Sequence, residues 1–460
     1  MPTELKDAIT RHVAADIVFM GEKMILPDGM TLDEAEKLIQ ARRVYEQQEI
    51  NLTEAFEVFP LDGAVQLEAV LTRRFGFIPS ADFYPQMINV EIGFNQVCQV
   101  PWGKFKLPNI TGIIQNSFSM KNGRYVFAVA ASVLRKDEPT IKAIFADLRE
   151  QIATNSIYRG KALRIRFFDD AGGKLLMPEP KFLETENIDE KMLILPKSIE
   201  RMVNVNLFTP ITRTKDLLAN GIALKRGVLL GGIYGTGKTM TAAVASKLAV
   251  RAGITYLYIP RADELAEAIS FAKQYQSPAC VIFCEDIDRV VTGDRSVKMD
   301  DILNTIDGID SKTANIIVVL TTNHMDKINR AMLRPGRLDA VIEVPPPDGE
   351  AITRLILAYG KGAIDPAADL APVGELLAGN IPAVVAEVVK RAKIAQLALQ
   401  EPGTMVSMLS GDALLDAANT ILPQIELLNG KKPKQKITLD AVMRNIVAGE
   451  ETEVEYDEEE

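Results

Sequence analysis

The stretch that decides the fold of this 460-residue chain is GVLLGGIYGTGKTM, residues 227–240. An apolar run leads into a glycine-rich turn, and the helix-forming run TAAVASKLAV follows it. The turn has the spacing G-x-x-x-x-G-K-T, in which glycines let backbone N–H groups close round phosphate oxygens. The lysine neutralises the β and γ phosphates, and the threonine hydroxyl binds Mg²⁺. The pattern predicts an ATP and Mg²⁺ site formed by Gly232, Tyr234, Gly235, Thr236, Gly237, Lys238, Thr239 and Met240.

A second apolar run, ACVIFCEDID at 279–288, ends in acids. Glu285 is the candidate to hold Mg²⁺ through water, together with Thr239, and Asp286 is the candidate to orient or deprotonate the attacking water. Acids also follow buried strands simply because the chain leaves the core there, and for this segment alone the two interpretations carry equal weight. In register with the phosphate loop, the catalytic interpretation is favoured.

Residues 196–448 resemble the AAA family of ATPases. The segment TTNHMDKINRAMLRPGRLDAVIEVPPPD, at 321–348, is similar to that family's second region of homology. The resemblance implies that Asn323 is a sensor that helps to place the attacking water. It also implies that Arg334 and Arg337 are offered to the γ-phosphate bound by an adjacent subunit. Arginines delivered in this way stabilise charge on the transferring phosphoryl group.

Two further positions resemble functional positions of the family. Gly221 and Ile222 stand where relatives pack backbone against adenine, although Gly221 also suits the end of a helix. Asp307 and Gly308 resemble a segment that relays nucleotide state between subunits. The alternative for that Asp-Gly pair is an ordinary turn.

The chain also departs from the family pattern. The order Glu285 then Asp286 inverts the usual pair and resembles the mitochondrial AAA translocase of the Rieske iron–sulfur protein, whose membrane helix has no counterpart here. The segment 266–279 contains no aromatic residue followed by glycine, which is the grip that threading unfoldases extend into their pore. Phe271 and Tyr275 are instead predicted to pack in a core. These features predict a motor that works without aromatic threading.

The predicted fold class is α/β: a P-loop NTPase parallel sheet and a helical lid, preceded by an α+β N-terminal domain. The parallel sheet is indicated by short β-branched runs, GVLLGG, ITYLYIP, ACVIFCEDID and NIIVVLTTN. The expected organisation is a helical segment at 1–50, an α+β substrate or partner domain at 51–195, a large ATPase domain at 196–345, a helical lid at 346–448 and a disordered acidic tail at 449–460.

Composition narrows the function further. The net charge is −10, but eight acids lie between Glu450 and Glu460, and the remaining chain is close to neutral. A dedicated nucleic-acid binder has a basic footprint instead, so a nucleic-acid partner is not expected. Three cysteines without paired spacing suit a reducing compartment. The apolar stretches are too short to span a bilayer, and no signal-peptide pattern is seen, so a cytoplasmic location is expected.

These observations predict an ATP-hydrolysing motor that acts as a homo-oligomeric ring of six or seven subunits. Residues 51–195 would capture a protein client, which the motor remodels, translocates or disassembles. A DNA-associated ATPase, such as a loader or helicase accessory, is the alternative from a different class. A scaffold that binds ATP without appreciable turnover is a third interpretation.

Overall fold

The computed structural model describes residues 17–20, 23–26, 29–76, 86–121, 124–175, 177–287, 314–325, 338–406 and 408–428. Within these ranges the chain folds as two compact units. The first comprises Met1–Asp189, Arg201–Gly232 and Lys238–Glu343, and the second comprises Glu190–Glu200, Ile233–Gly237 and Val344–Glu460.

The chain begins with a short hairpin followed by a helix. Strands β1 (Val18–Met20) and β2 (Lys23–Ile25) pair antiparallel, and helix α1 spans Leu32–Glu46. A capping box begins this helix: the Glu34 N–H donates to the Thr31 hydroxyl, and the Glu34 carboxylate accepts from the Thr31 N–H. The hairpin corrects the helical prediction for this part of residues 1–50, because three-residue strands are too short to show a periodic pattern.

A five-stranded antiparallel sheet forms the front of the first unit. Its order is β3-β7-β6-β5-β4. The strands are β3 (Glu49–Phe56), β4 (Gln86–Gly93), β5 (Gln96–Phe105), β6 (Gly112–Lys121) and β7 (Arg124–Leu134). Two amphipathic helices, α2 (Pro60–Phe75) and α3 (Glu138–Thr154), turn buried apolar faces toward this sheet. The mixture of helices and strands predicted for this region is confirmed.

The second sheet of this unit is mainly parallel, with seven strands in the order β14-β10-β13-β12-β11-β8-β9. The strands are β8 (Ala162–Arg164), β9 (Lys181–Phe182), β10 (Arg226–Gly231), β11 (Thr255–Ile259), β12 (Cys280–Cys284), β13 (Ile316–Thr322) and β14 (Ala340–Glu343). All residues of β12 and β13 are buried, as expected for strands covered on both faces. The four strands predicted from β-branched runs are confirmed.

This sheet takes strands from both sides of the boundary predicted near residue 195. Strand β8 pairs parallel with β11, and β9 pairs antiparallel with β8. A single apolar core runs from the front sheet to the ATPase sheet. At its centre Tyr158 contacts the rings of Phe271 and Tyr275. The front region and the ATPase sheet therefore fold as one unit.

Short helices connect the strands. They are α4 (Lys197–Val203), a π-helical turn (Asn204–Phe208), α5 (Thr209–Thr212), α6 (Thr214–Ala219), α7 (Lys238–Arg251), α8 (Leu265–Tyr275) and 3₁₀ turns at Arg135–Asp137, Glu190–Met192 and Ala262–Glu264. Helix α7 follows the phosphate loop and begins with Lys238 and Thr239. Helix α8 places Phe271 and Tyr275 in the core.

The second unit is helical, as predicted for the lid. Its helices are α9 (Gly349–Gly360), α10 (Ala371–Leu377), α11 (Pro382–Ala398) and α12 (Gly411–Leu428). The Asp348 carboxylate caps α9 by accepting from the Ala351 N–H at 2.8 Å. Pro382 occupies the first turn of α11, where its missing N–H is not needed. The acidic tail predicted at 449–460 lies outside the described residues.

The architecture confirms the predicted fold class, an α/β P-loop NTPase sheet with a helical lid and a sheet-rich N-terminal region. In the part of the chain that the structure describes, no helix is both long enough and apolar enough to cross a membrane.

Candidate functional site

The phosphate loop lies between the end of β10 and the start of α7. The Lys238 side chain is 6% exposed, and its ammonium donates to the Gly232 carbonyl at 2.6 Å. The Gly232 N–H donates to the Thr322 carbonyl at 3.2 Å, which fixes the start of the loop to β13. Gly235 and Gly237 have φ angles of +78° and +106°, a region that side chains with a Cβ rarely adopt. The spacing predicted from sequence therefore forms the expected loop.

The first acid, Glu285, is held by two hydroxyl groups. The Thr239 hydroxyl donates to its Oε1 atom at 2.8 Å, and the Tyr258 hydroxyl donates to its Oε2 atom at 2.8 Å. Burial and then the hydrogen bond to Glu285 raise the pKa of Tyr258, which keeps the phenol protonated as a donor. Glu285 is half-buried at the end of β12. The structure thus brings together Thr239 and Glu285, the two residues predicted to hold Mg²⁺.

The second acid, Asp286, contacts a different set of residues. The Asn323 amide donates to the Asp286 carboxylate at 2.8 Å, and the Asp286 N–H donates to the Thr321 hydroxyl at 3.0 Å. The φ angle of Asp286 is +47°, in the left-handed region that aspartate tolerates better than most residues. The backbone turn separates the two neighbouring carboxylates and directs one toward Thr239 and the other toward Asn323.

The convergence of these groups follows from the sheet. Strands β10, β12 and β13 are parallel neighbours, with Gly231 opposite Thr322 and Cys284 opposite Leu320. The residues that follow each strand therefore meet at one edge of the sheet. In open α/β sheets this carboxyl edge is where ligands bind.

The donor set suits Mg²⁺. Magnesium prefers oxygen ligands, keeps several waters, and is bound through one or two carboxylates together with substrate phosphates. A threonine hydroxyl can bind a cation through its oxygen while it donates its hydrogen to a carboxylate. Across the described ranges no cluster of three or more His, Cys, Asp or Glu could hold a metal without a substrate. The Thr239 and Glu285 pair therefore fits a metal that arrives with a nucleotide.

Three of the residues predicted to bind the nucleotide have apolar side chains that are exposed or half-buried. Ile222 is 51% exposed and Tyr234 is 61% exposed, while Met240 is half-buried. Gly221 has a φ of +72° and follows the last turn of α6. Its N–H donates to the Leu218 carbonyl, and the Ile222 N–H donates to the Leu217 carbonyl, which is a common way for a helix to end. The helix-end interpretation of Gly221 is confirmed. It leaves the adenine contact open as a prediction.

Four predicted residues lie outside the described part of the chain. They are Arg334, Arg337, Asp307 and Gly308. Their roles stay predictions from the family resemblance.

Sequence reasoning missed two residues that complete the site, Tyr258 and Thr321. Tyr258 comes from β11 and Thr321 from β13, and both sit near the carboxyl ends of strands that neighbour the acids. Only the register of the sheet reveals this placement. Polar residues at the ends of predicted parallel strands were the available signal.

The rings of Phe271 and Tyr275 are buried in the shared core, as predicted. Tyr275 also accepts a hydrogen bond from the Phe59 N–H at 3.1 Å. Cys280 and Cys284, on β12, are buried as well, and burial raises the pKa of both thiols. Strand β12, which leads into the two acids, is therefore buried along its length, and its thiols stay protonated.

Residues 228–346 match a known family, described as the ATPase family associated with various cellular activities (AAA). Similar proteins include the ATP-dependent zinc metalloprotease FtsH of Rhodococcus erythropolis, 28% identical over 52% of this chain and 29% of that protein. The 26S proteasome regulatory subunit S10B homolog B of Arabidopsis thaliana is 31% identical over 35% of this chain and 44% of that protein. The chain spans less than half the length of the curated relatives it matches.

The match covers the phosphate loop, both acids and Asn323, which are also the groups that the fold brings together at the carboxyl edge of the sheet. Sequence similarity and site geometry therefore agree on the same residues. Residues 228–346 therefore form an ATPase domain of the AAA family.

Proposed function

We propose that this protein is an ATP-hydrolysing motor that remodels, translocates or disassembles a protein client. The observation that carries the proposal is the separation of the two acids. Glu285 contacts Thr239 of the phosphate loop, whereas Asp286 contacts Asn323. A site for hydrolysis needs both a metal-holding group and a water-activating group beside the terminal phosphate, and this arrangement offers one acid for each task.

In this proposal Lys238 and the loop N–H groups bind the β and γ phosphates, and Thr239 and Glu285 hold Mg²⁺. When bound, Mg²⁺ neutralises developing charge on the phosphate oxygens. Asp286 accepts a proton from the attacking water, and Asn323 orients both the carboxylate and the water. Gly221 and Ile222 lie against the base, as the family resemblance implies.

The proposed assembly is a homo-oligomeric ring of six or seven subunits. Arg334 and Arg337 of one subunit would reach the γ-phosphate held by the next, as the family resemblance implies. An arginine supplied in this way contributes about 10³- to 10⁵-fold in rate. The isolated subunit should therefore hydrolyse ATP slowly.

The proposed client is a protein, bound by residues 51–195. The names of the relatives support this class, since one is a metalloprotease and another is a proteasome regulatory subunit. The protease activity itself is not carried over, because neither His12 nor His324 stands in the H-E-x-x-H pattern of such zinc sites. Burial of Phe271 and Tyr275 supports a mechanism without aromatic threading and the comparison with the Rieske-protein translocase. A cytoplasmic location remains a prediction.

The second candidate is a DNA-associated ATPase. It is less well supported because the chain is close to neutral without its last eight acids. The two candidates differ in which polymer stimulates hydrolysis. Stimulation by DNA and not by unfolded or folded proteins would favour the second candidate.

The decisive experiment measures phosphate release and nucleotide binding for Asp286→Asn and Glu285→Gln. We expect Asp286→Asn to retain Mg²⁺-dependent ATP binding and to lose at least about 100-fold in kcat, the scale of general-base catalysis. Glu285→Gln should weaken Mg²⁺-dependent binding as well as turnover. Asp170→Asn is a matched control, since that acid is exposed and pairs with Arg166 on the surface. Normal turnover by Asp286→Asn would refute the proposed roles.

A mixing experiment tests the ring. Arg334→Ala should bind ATP without hydrolysing it, and Asp286→Ala should do the same for a different reason. In a ring, mixed interfaces can join an intact acid pair from one subunit with an intact arginine from the other. Activity should reappear when the two variants are combined, and no recovery at any ratio would count against shared sites.

A further inference from the structure

One hydrogen bond at the site has no place in the proposed mechanism. The Tyr258 hydroxyl donates to Glu285 Oε2 at 2.8 Å, on the oxygen opposite the one that faces Thr239. Tyr258 lies on β11, directly opposite Phe283 of β12 in the sheet register. Its phenol therefore reaches past the end of the neighbouring strand to the acid that follows it.

The Tyr258 ring is held from both sides. On one side it stacks on the Phe283 ring, with centroids 6.3 Å apart and planes 14° apart. On the other side the Arg164 guanidinium lies 5.7 Å from the ring centroid, and Arg164 is opposite Tyr258 in the β8 and β11 register. Cation–π contacts of this kind orient aromatic rings. This contact gives the Arg164 guanidinium a partner within the fold.

In water the Glu285 side chain could adopt several rotamers, and its carboxylate offers four lone-pair positions to donors. Two hydroxyl donors on opposite oxygens leave Glu285 one orientation, with Oε1 directed at Thr239. This matters here because a glutamate side chain has several rotatable bonds, so its carboxylate needs constraint to meet a metal held by the phosphate loop.

We propose that Tyr258 is a positioning residue for the metal, which fixes the Glu285 carboxylate toward the Mg²⁺ that accompanies ATP, and that Arg164 holds the Tyr258 ring in place. The proposal rests on the proposed function of the Thr239 and Glu285 pair. It links strand β8 to the nucleotide site through a chain of contacts from Arg164 to Tyr258 to Glu285.

The test is the Mg²⁺ dependence of binding of a fluorescent ATP analogue, measured by anisotropy on the full chain. For Tyr258→Phe we expect the Mg²⁺ concentration at half-maximal binding to rise about 3- to 10-fold. That range is below the full value of a hydrogen bond to a charged group, because water can replace part of it at a half-buried site. Binding measured in EDTA should stay within about twofold of wild type, because the phosphate loop is intact.

Tyr125→Phe is the matched control, since it removes a phenol that donates to the Leu175 carbonyl, away from the acids. It should leave the Mg²⁺ midpoint unchanged. Arg164→Gln keeps the phenol and loses only the contact with its ring, so it should shift the midpoint in the same direction by about two- to threefold. This variant also keeps the test valid if Tyr258→Phe folds poorly.

Two results would overturn the inference: a Mg²⁺ midpoint unchanged in Tyr258→Phe, or an equal loss of binding with and without Mg²⁺. Because binding is measured apart from hydrolysis, the proposed function fails separately. A wild type that binds the analogue with Mg²⁺ but releases no phosphate would refute the motor and leave the Tyr258 result to stand by itself.

Discussion

Replacing Tyr275 with phenylalanine tests whether the front region and the ATPase sheet are held together by a buried polar network. The Tyr275 hydroxyl accepts from the Phe59 N–H at 3.1 Å, and the ring is close enough to the buried Asp62 carboxylate to interact with it electrostatically. Phe59 is the N-cap of α2 and makes no side-chain cap of its own. Asp62 also accepts from Ser156, Gln66 and the Ile157 N–H. The phenol therefore links α8 of the ATPase sheet to α2 of the front region.

The expected cost follows from the hydrogen bond to Phe59. Leaving the buried Phe59 N–H without an acceptor costs about 1–3 kcal/mol. The new phenylalanine side chain no longer buries a hydroxyl, which offsets part of this loss. The ring itself stays packed against Phe271 and Tyr158. We expect Tyr275→Phe to lower the free energy of unfolding of the first unit by about 2–3 kcal/mol, toward the upper end of that range, because the N–H is fully buried.

The assay is urea unfolding followed by circular dichroism, with hydrogen exchange to locate the effect. Amides at the start of α2 should lose protection most, although the mutated side chain lies in α8. Tyr125→Phe serves again as control, with an expected loss of about 0.5–1.5 kcal/mol for one half-buried hydrogen bond. The reasoning is refuted if Tyr275→Phe costs no more than this control, or if protection is lost only within α8.

Three further predictions concern a carboxylate, a helix cap and the phosphate loop. Burial raises the pKa of Asp62 above its unfolded value of about 3.9, so the fold disfavours the ionised form. The free energy of unfolding of wild type, relative to that of Asp62→Asn, should therefore be greatest below about pH 3.9 and should fall as pH rises through the raised pKa. The check is this difference in free energy, measured from about pH 4 to 7. Thr31→Ala should destabilise α1 by about 0.5–2 kcal/mol, seen as faster hydrogen exchange in its first turn. Gly237→Ala should reduce ATP binding at least about tenfold in a titration, because a φ of +106° strains a residue with a Cβ.

Much of the ATPase sheet could be predicted because its strands are local signals. Strands β10 to β13 are continuous apolar runs bounded by turns, and each is predicted without knowledge of its partners. Strands β8 and β9 have three and two residues. The run KALRIRFF, residues 161–168, follows the turn at Gly160 and predicts a strand where β8 lies, whereas β9 has no such signal. The sequence does not reveal that β8 pairs with β11, about 90 residues further along the chain. Because β8 lies before residue 195 and pairs with β11 after it, the domain boundary predicted near residue 195 falls between strands of one sheet.

Some residues of the nucleotide site can likewise be predicted from the sequence, and others cannot. Lys238 and Thr239 follow from a motif whose spacing is set by the shape of a phosphate, so sequence alone predicts them. The two acids are predicted only because their strand is in register with that loop. Tyr258 joins the site through strand register and the stacking of its ring on Phe283. Neither leaves a pattern in a single sequence. The separation of Glu285 from Asp286 is likewise a property of one backbone turn with φ +47° and not of residue order.

The shared core bears on how nucleotide state can reach a client. Phe59 of the front region packs edge-to-face on Phe271 of α8 with ring centroids 5.2 Å apart, and β8 is hydrogen-bonded into the ATPase sheet. Close-packed interiors resist small displacements, because each shift forces neighbouring side chains out of their rotamers. A movement of the ATPase sheet therefore carries the front sheet with it, without a hinge between them. If the front region binds the client as proposed, the client is attached to the same rigid unit that holds Lys238, Glu285 and Asp286.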